Sequence, residues 1–299
     1  MMTRKMITRR KMIKNTAAAA AGGALLLNSP FKILGSSPEK KTRVVLIRDA
    51  RIPDYGTDPD QGIVQEMLDK AIIELTGVTD IKKAWKNIIR PDDVVGIKTN
   101  VWRYLPTPKE VENALRQRVI EAGVSENNIG ISDRGVRNMP VFQNATALIN
   151  TRPMRTHAWS GVGSLLKNPI MFAQEPSAYH DDSCADLATL WELPQIKGKT
   201  RLNVLVMFTP LFHGIGPHHF NKEYVWSYKG LIVSFDPVAA DSVGLSIIQA
   251  RRREFFGENR PLSPHAKHIE YAETRHHLGV ADPAKIELVR LGYDENILI

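Results

Sequence analysis

Polar side chains of this 299-residue chain stand where several of its apolar runs end, and their types suit the binding of an anion. Lys98 and Asn100 follow one such run, and Asp133 follows another. Lysine and arginine supply positive potential and asparagine supplies directional hydrogen bonds, which a carboxylate or phosphate group requires. The sequence therefore predicts an anion-binding site. Its expected substrate-binding residues are Asn100, Asn150, Arg155, Lys167 and Asn168.

Two histidines and two carboxylates offer further chemistry, and three interpretations of them stay open. Together the four side chains would be an acceptable ligand set for zinc, iron or manganese, although their spacing matches no established metal motif. The set consists of His157, His180, Asp133 and Asp186. Alternatively, the two histidines act as general acid or base, or each only hydrogen-bonds a loop carbonyl. The predicted catalytic residues are Lys98, Asp133, His157 and His180.

Several cofactor motifs are missing from the sequence. Cys184 is the only cysteine, so this chain alone cannot build an iron–sulfur cluster or a cysteine-rich zinc site. The Gly214-Ile215-Gly216 turn lacks the third glycine of a dinucleotide fingerprint, and the chain has neither a Walker loop nor a Gly-x-Ser-x-Gly elbow. Nicotinamide, ATP and serine-hydrolase chemistry are therefore not predicted. A divalent metal stays open as a cofactor.

Two residue types outside this set have simpler expected roles. His265 and His268 are one helical turn apart, a spacing that can bind a metal. Charged neighbours instead indicate an exposed helix face, so these histidines are expected to be solvated. Cys184 lies just before a predicted short helix and is expected to be a plain, half-buried cysteine, with a stabilised thiolate as the alternative.

Apolar periodicity predicts the elements that must position the candidate residues. Strands are predicted at residues 43–47, 94–98, 128–132, 202–208 and 230–235, and helices at residues 62–75, 108–122 and 237–255. The second helix is expected to start with Thr107 as its N-cap and Pro108 at its first position. Strands that alternate with helices in this way predict an α/β fold with a largely parallel sheet flanked by helices.

Residues 138–199 show no sustained periodicity and are rich in polar side chains. They are expected to form a long irregular insertion of loops and short helices that lies against the sheet. In open α/β sheets, ligands bind beyond the carboxyl ends of the strands, where loops and helix N-termini converge. The candidate site is therefore expected at that edge.

The charge of the chain is concentrated at its N-terminus. The net charge is +8, yet residues 1–35 contain seven basic residues and no acidic one. The rest of the chain has 33 basic against 32 acidic residues, which is far from the basic surface of a phosphate-backbone binder. No nucleic-acid partner is predicted.

Residues 1–35 are typical of an export signal. The Arg9-Arg10 pair is followed by two apolar residues and a lysine, in Met12-Ile13-Lys14, which resembles the twin-arginine (Tat) signal, and a short, alanine-rich apolar stretch comes next. The apolar stretch is too short and too weakly apolar for a membrane span, so no stable span is expected after signal removal. Residues 36–299 are predicted to be one α/β domain of a periplasmic or otherwise exported protein.

Several short blocks follow one another in a distinctive order. They include Val-Gly-Ile-Lys-Thr-Asn at 95–100, Gly-Ile-Ser-Asp at 130–133, Ala-Leu-Ile-Asn-Thr-Arg-Pro-Met-Arg-Thr-His at 147–157, Leu-Lys-Asn at 166–168 and Ser-Phe-Asp-Pro-Val-Ala-Ala-Asp at 234–241. In order and spacing, across residues 43–292, they resemble the bacterial and archaeal domain-of-unknown-function family 362. Some members of that family carry Tat signals or an iron–sulfur module, and the family has no settled general activity.

The resemblance implies which polar positions recur in the family. They are Lys98, Asn100, Asp133, His157, Lys167, Asn168, His180, Asp186 and Asp241. The chain departs from the family pattern in two places. Arg155 stands where a lysine is usual, and Met207 or Phe208 stands where many members have an aspartate at a strand end. A role that this aspartate has in relatives does not carry over to this chain.

Together these features predict an exported enzyme that acts on an anionic small molecule in a cationic crevice at the strand ends. The alternative is a non-catalytic factor that binds a metal or an anion, or that helps a redox partner protein to mature. A catalyst needs a titratable group within hydrogen-bond reach of its ligand, whereas a binding protein needs only donors.

Overall fold

The computed structural model describes residues 41–214, 216 and 219–299. The predicted signal segment and its boundary with the mature chain lie outside the described residues. The strands are β1 (Thr42–Arg48), β2 (Val95–Lys98), β3 (Ile129–Ser132), β4 (Ala147–His157), β5 (Gly161–Gly163), β6 (Thr200–Leu211), β7 (Gly230–Ser234) and β8 (Ile286–Gly292). The α-helices are α1 (Gln61–Thr76), α2 (Ile81–Ile88), α3 (Lys109–Glu121), α4 (Pro140–Gln143), α5 (Asp181–Cys184), α6 (Pro237–Phe256) and α7 (Lys267–Thr274).

The strands form one mixed sheet in the order β3-β2-β4-β6-β7-β1-β8, and β5 pairs with the end of β4. Pairing is parallel between β2 and both β3 and β4, between β4 and β6, and between β1 and β8. Strand β7 is antiparallel to both of its neighbours, β6 and β1. The α/β fold with a largely parallel sheet is therefore confirmed. The carboxyl ends of β1, β2, β3, β4, β6 and β8 all lie at one edge.

The sheet separates two apolar layers. Along β1, Val45 and Ile47 face one layer, whereas Val44 and Leu46 face the other. The first layer holds α1, α2 and α3, and the second holds α6, α7 and much of the chain between β5 and β6. Burial on both faces explains why β1 and β7 read as continuous apolar runs.

Two of the predicted helix starts rest on aspartate caps. The Asp60 carboxylate accepts a hydrogen bond from the Ile63 amide at the start of α1, and Asp236 accepts from Val238 and Ala239 at the start of α6. The start of α3 differs from the prediction. Thr107 does not cap this helix, because its hydroxyl accepts from the Asn100 amide and so holds the loop after β2.

The segment predicted to be irregular contains a central strand. Strand β4 runs through eleven residues, every one of them buried, between β2 and β6. Its polar residues hid it, because buried polar side chains break the apolar pattern that marks a strand. From residue 164 to residue 199 the prediction is accurate, since the chain there forms 3₁₀-helices at Leu165–Phe172, Pro176–Tyr179 and Leu187–Glu192 and the short α5.

Across the ranges the structure describes, no helix combines the length and the apolar character needed to cross a bilayer.

Candidate functional site

Three neighbouring parallel strands bring the candidate residues together. Lys98, at the end of β2, lies beside Ser132 of β3 on one side and Asn150 of β4 on the other. Strand β4 continues for seven residues beyond Asn150. This last part of β4 therefore extends past the ends of β2 and β3. Its polar side chains are buried at the carboxyl edge of the sheet.

Lys98 and Asp133 form a buried ion pair at this edge. Lys98 Nζ donates to Asp133 Oδ1 at 2.5 Å and to the Thr99 carbonyl at 2.8 Å. Burial lowers the pKa of Lys98 to about 8, although the charge of Asp133 opposes this effect. Burial also works against ionisation of Asp133, but the Lys98 charge and hydrogen bonds outweigh it, so the pKa of Asp133 is lowered. The pair is ionised at neutral pH.

A chain of amides fixes this pair to β4. The Asn168 amide donates to Asn150 Oδ1 at 2.8 Å and to the Lys98 carbonyl at 3.1 Å, and Asn168 Oδ1 lies 3.5 Å from Lys98 Nζ. Asn150 in turn donates to Asn203 Oδ1 and to the Leu165 carbonyl, both at 3.1 Å. Of these asparagines, Asn150 and Asn168 were predicted to bind substrate. In the structure their amide groups mainly bind one another and the backbone.

Four buried cations form what we call the cationic cluster: Lys98, Arg152, Arg155 and Lys167, each at most 5 % exposed. Arg155 Nη1 donates to Asn100 Oδ1 at 3.0 Å, and its guanidinium lies over the Trp102 ring at 4.5 Å. Burial lowers the pKa of both arginines, that of Arg152 to about 10. Arg152 makes no hydrogen bond to any residue between 41 and 299 that the structure describes, and its Nε and that of Arg155 are buried without a partner there.

Two carboxylates face the cationic cluster. Asp133 is already engaged by Lys98, and Asp241 of α6 is fully buried. Asp241 accepts from the Ser164 hydroxyl at 2.6 Å and from the Leu165 and Leu166 amides at 2.9 and 2.8 Å. Burial raises the pKa of Asp241 to about 7, against these hydrogen bonds and the charge of Arg152. The cluster thus holds more positive charge than these carboxylates can neutralise.

His157 lies on the same side of the sheet as the arginines. A Cβ added at Gly163 would come within 2.9 Å of Arg152 Nη2 and 3.3 Å of His157 Cδ2, so the glycine leaves room for both side chains. Burial, reinforced by Lys167, Arg155 and Arg152, strongly lowers the pKa of His157, which is therefore neutral. Its Nδ1 accepts from the Trp159 amide at 3.2 Å, which leaves the ring proton on Nε2.

Lys167, which is buried, and His180, which is half-buried, complete the set. Lys167 Nζ donates to Cys184 Sγ at 3.3 Å, and Cys184 is fully buried rather than half-buried as expected. Burial lowers the pKa of Lys167, and burial together with the Lys167 charge lowers that of His180. The His180 ring packs against the Trp159 ring, with centroids 4.2 Å apart.

The structure does not support the four-residue metal set. The Asp186 side chain is 53 % exposed and binds Arg275 and His276, not His157 or His180. Within residues 41–214, 216 and 219–299, no group of three or more histidine, cysteine or acidic side chains could hold a metal ion. The arrangement instead suits an anion, because its unpaired groups are cations and hydrogen-bond donors.

Two residues of this region escaped the sequence analysis. Arg152 was missed because residues 138–199 were predicted to be irregular, so nothing indicated that its charged side chain would be buried inside a strand. His268 was expected on an exposed helix face, yet it is fully buried in α7 and neither ring nitrogen has a partner among the described residues. Burial, with Lys167 and Arg152 contributing, lowers the pKa of His268 to about 3. The sequence feature that could have revealed Arg152 is its position two residues after Asn150, because residues two apart on a strand lie on the same face of the sheet.

Comparisons of this chain with protein-family models, with curated proteins and with solved structures find no match. Function is therefore inferred from the site itself.

Proposed function

We propose that this protein acts on a small molecule that carries a carboxylate or phosphate group, held by Arg152, Arg155 and Lys167. The observation that supports this proposal is the excess of buried positive charge in the cationic cluster. Four cations face two carboxylates, Asp133 and Asp241, and the third buried acid nearby, Glu112, is already paired with Lys109. An uncompensated buried ion costs several kcal/mol, so a fold that maintains this excess gains strongly from a bound anion.

The donors around the cluster suit such a group. The guanidinium group of arginine can donate two parallel hydrogen bonds to one carboxylate or phosphate group. The Nε atoms of Arg152 and Arg155 have no partner among the described residues, so both can donate to such a group. Neutral His157 adds an Nε2–H donor that carries no charge of its own. Hydrogen bonds to an anion in a buried site are roughly twice as strong as those between neutral groups.

In the enzymatic form of the proposal, the Lys98–Asp133 pair supplies the titratable group. A general acid works best when its pKa lies near the working pH, and burial brings the pKa of Lys98 to about 8. The pair would then give or take a proton from the bound molecule, while Arg152 and Arg155 hold its anionic end. His157 and His180 remain candidate catalytic residues in this proposal.

One observation favours a second candidate, a non-catalytic protein that binds an anion or helps a redox partner to mature. The three protons of the Lys98 ammonium group match three acceptors in the protein: Asp133 Oδ1, the Thr99 carbonyl and Asn168 Oδ1. A lysine engaged in this way holds the strand ends in place and has no proton directed at a ligand.

Calorimetric titration with inorganic phosphate and with acetate tests the anion site. The full chain is expected to bind at least one of them, and Arg155→Met should weaken binding about 10-fold or more, because a charge-assisted hydrogen bond is lost. The matched control is Arg134→Met, since Arg134 is exposed at the same edge of the sheet. Equal affinities in the wild type, Arg155→Met and Arg134→Met would place the anion elsewhere.

The two candidates differ in what happens to the bound molecule. Native purification followed by mass spectrometry would identify a co-purified anion, which can then be incubated with the protein. An enzyme changes the mass or the structure of that molecule with time, and Lys98→Gln slows the change. A binding protein returns it unaltered.

Export by the twin-arginine route, and with it a periplasmic location, is part of this proposal. It rests on the Arg9-Arg10 pair and the apolar stretch after it. The double change Arg9→Lys and Arg10→Lys keeps the charge but removes the arginines that the receptor reads. Loss of the protein from the periplasmic fraction is the expected result, whereas unchanged export would end this part of the proposal.

A further inference from the structure

We infer that Lys167 is a nucleophile, and that the anion held beside it carries an aldehyde or ketone group with which the Lys167 amine forms an imine. This inference deepens the proposed function and rests on it, since the anionic group of the same molecule is assigned to Arg152 and Arg155. The substrate class is then an anionic carbonyl compound, for example a 2-oxo acid or an aldehyde phosphate.

Lys167 differs from Lys98 in what its amine contacts. Lys98 Nζ meets three oxygen acceptors, one of which is the Asp133 carboxylate. Lys167 is 4 % exposed, and across the described ranges its Nζ has one polar partner, Cys184 Sγ at 3.3 Å. A thiol sulfur is a weak acceptor, and no described carboxylate lies within ion-pair distance of Lys167. The Lys167 amine is therefore free to act, whereas the Lys98 ammonium group is engaged.

The surroundings of Lys167 favour its uncharged form. Burial lowers the pKa of Lys167, and although contact with Cys184 opposes this effect, the charges of Arg152 and Arg155 add to it. An amine attacks a carbonyl carbon only when it is uncharged, and desolvation and neighbouring cations are two ways in which proteins activate a lysine nucleophile. The arginines that bind the anionic group thus also activate the amine.

His157 shows that these cations surround one position. After burial, the largest contribution to the lowered pKa of His157 comes from the charge of Lys167, followed by those of Arg155 and Arg152. The effect of a charge falls with distance, so all three cations lie near this ring. A molecule of a few carbon atoms that is bound by the two arginines therefore has its carbonyl group beside Lys167.

The two histidines supply the remaining steps. His157 is neutral and donates its Nε2–H to the carbonyl oxygen, which polarises the C=O bond. The lone pair of Lys167 Nζ then forms the C–N bond, the π electrons move to oxygen, and one proton passes from nitrogen to this oxygen. A second proton from nitrogen lets the hydroxyl leave as water, which breaks the C–O bond and forms the C=N bond.

His180 suits the transfer of both protons. It is half-buried, and burial and the Lys167 charge lower its pKa, so it is an uncharged base that can take a proton from nitrogen and pass it to oxygen. The products are the imine and one water molecule. The step requires no oxidant, reductant or metal.

Reductive trapping tests the inference with two matched pairs of probes: pyruvate against acetone, and glycolaldehyde phosphate against glycolaldehyde. Cyanoborohydride converts an imine into a stable secondary amine, and mass spectrometry of the digested full chain locates it. In the wild type, at least one anionic probe is expected to modify Lys167 about 10-fold faster or more than its uncharged partner, because charge-assisted hydrogen bonds hold it there.

Three variants accompany the wild type. Arg155→Met should reduce the preference for the anionic probe, and Lys167→Arg should abolish the modification while phosphate or acetate still binds, since the charge is kept. Lys109→Arg is the control, because the Lys109 side chain is 79 % exposed, and it should leave modification of Lys167 unchanged.

The wild-type result decides the inference even if a variant fails to fold. Modification confined to Lys98 or to exposed lysines, in protein that binds phosphate or acetate, would overturn the role of Lys167 while the anion site stands. Equal rates for charged and uncharged probes at Lys167 would overturn the anionic substrate class. Absence of both Lys167 modification and anion binding would overturn the inference and the proposed function together.

Discussion

Lys98 Nζ and Asp133 Oδ1 lie 2.5 Å apart, so a buried ion pair ties together the ends of two neighbouring parallel strands. Asp133 uses its second oxygen to accept from the Val101 amide at 3.0 Å, which fixes the loop after β2 as well. The loop carries Asn100 and Trp102, the two residues that hold Arg155 in place. The ion pair therefore supports the geometry of the whole cationic cluster.

Breaking this pair should destabilise the protein strongly. Lys98→Met leaves the Asp133 carboxylate buried with one amide donor, and we expect a loss of about 3–5 kcal/mol in the free energy of unfolding. Urea denaturation measures the effect. Arg116→Met is the control, because Arg116 and Glu126 form an exposed ion pair that should contribute about 1 kcal/mol or less. Similar losses for the two variants would mean that water reaches Lys98.

Replacing Arg152 should raise the stability of the anion-free protein and at the same time abolish anion binding. Arg152 is 3 % exposed and has no hydrogen bond among the described residues, so its charge is costly when no anion is bound. We expect Arg152→Met to raise the melting temperature in anion-free buffer by about 2–4 °C, and to abolish the further rise that phosphate or acetate causes in the wild type. A lowered melting temperature with intact anion stabilisation would show that Arg152 is a structural cation.

His268 predicts a specific dependence of stability on pH. Burial lowers its pKa to about 3 in the folded protein, whereas the unfolded value is about 6.5. Between these values the unfolded chain binds a proton that the folded chain does not. The contribution of neutral His268 is therefore fully present above about pH 6.5 and is lost as the pH falls towards 3, by about 1.4 kcal/mol per pH unit.

His268→Leu removes this contribution and relieves two buried nitrogens that lack partners. The stability of the variant relative to the wild type should grow steadily as the pH is lowered below about 6.5, and it should be constant between pH 7 and 8. Urea unfolding of the wild type and the variant at a series of pH values measures this difference in stability. A difference that does not change with pH would mean that the imidazole is solvated or charged in the folded state.

The fold could be predicted wherever burial and polarity agree. In β1 the apolar run Val-Val-Leu-Ile is buried, and in α1 the apolar residues that recur with helical spacing are buried. Both elements form where the pattern placed them. Strand β4 could not be read in this way because Asn150, Arg152 and Arg155 are buried with their polar ends inside. Patterning treats polar residues as exposed, and functional sites are where that rule fails.

The candidate site, like the fold, could be predicted only in part from the sequence. Lys98 and Asp133 meet because parallel strands end at one edge, which the order of strands and helices already implied. Asp186 was grouped with the histidines by residue type alone, and it lies on the surface beside Arg275. Which residues of the irregular segment reach the edge depends on the path of its 3₁₀-helices, and local sequence does not determine that path.

The most direct measurement is the position of an anion in a crystal. Crystals of the protein soaked in selenate can be measured at the selenium absorption edge, so that anomalous scattering locates the ion without reference to any proposed site. We predict an anomalous peak within hydrogen-bond distance of Arg152 and Arg155 in the wild type and none there in Arg152→Met. Selenate peaks confined to exposed arginines and lysines, with the cationic cluster unoccupied at high soaking concentration, would contradict the account.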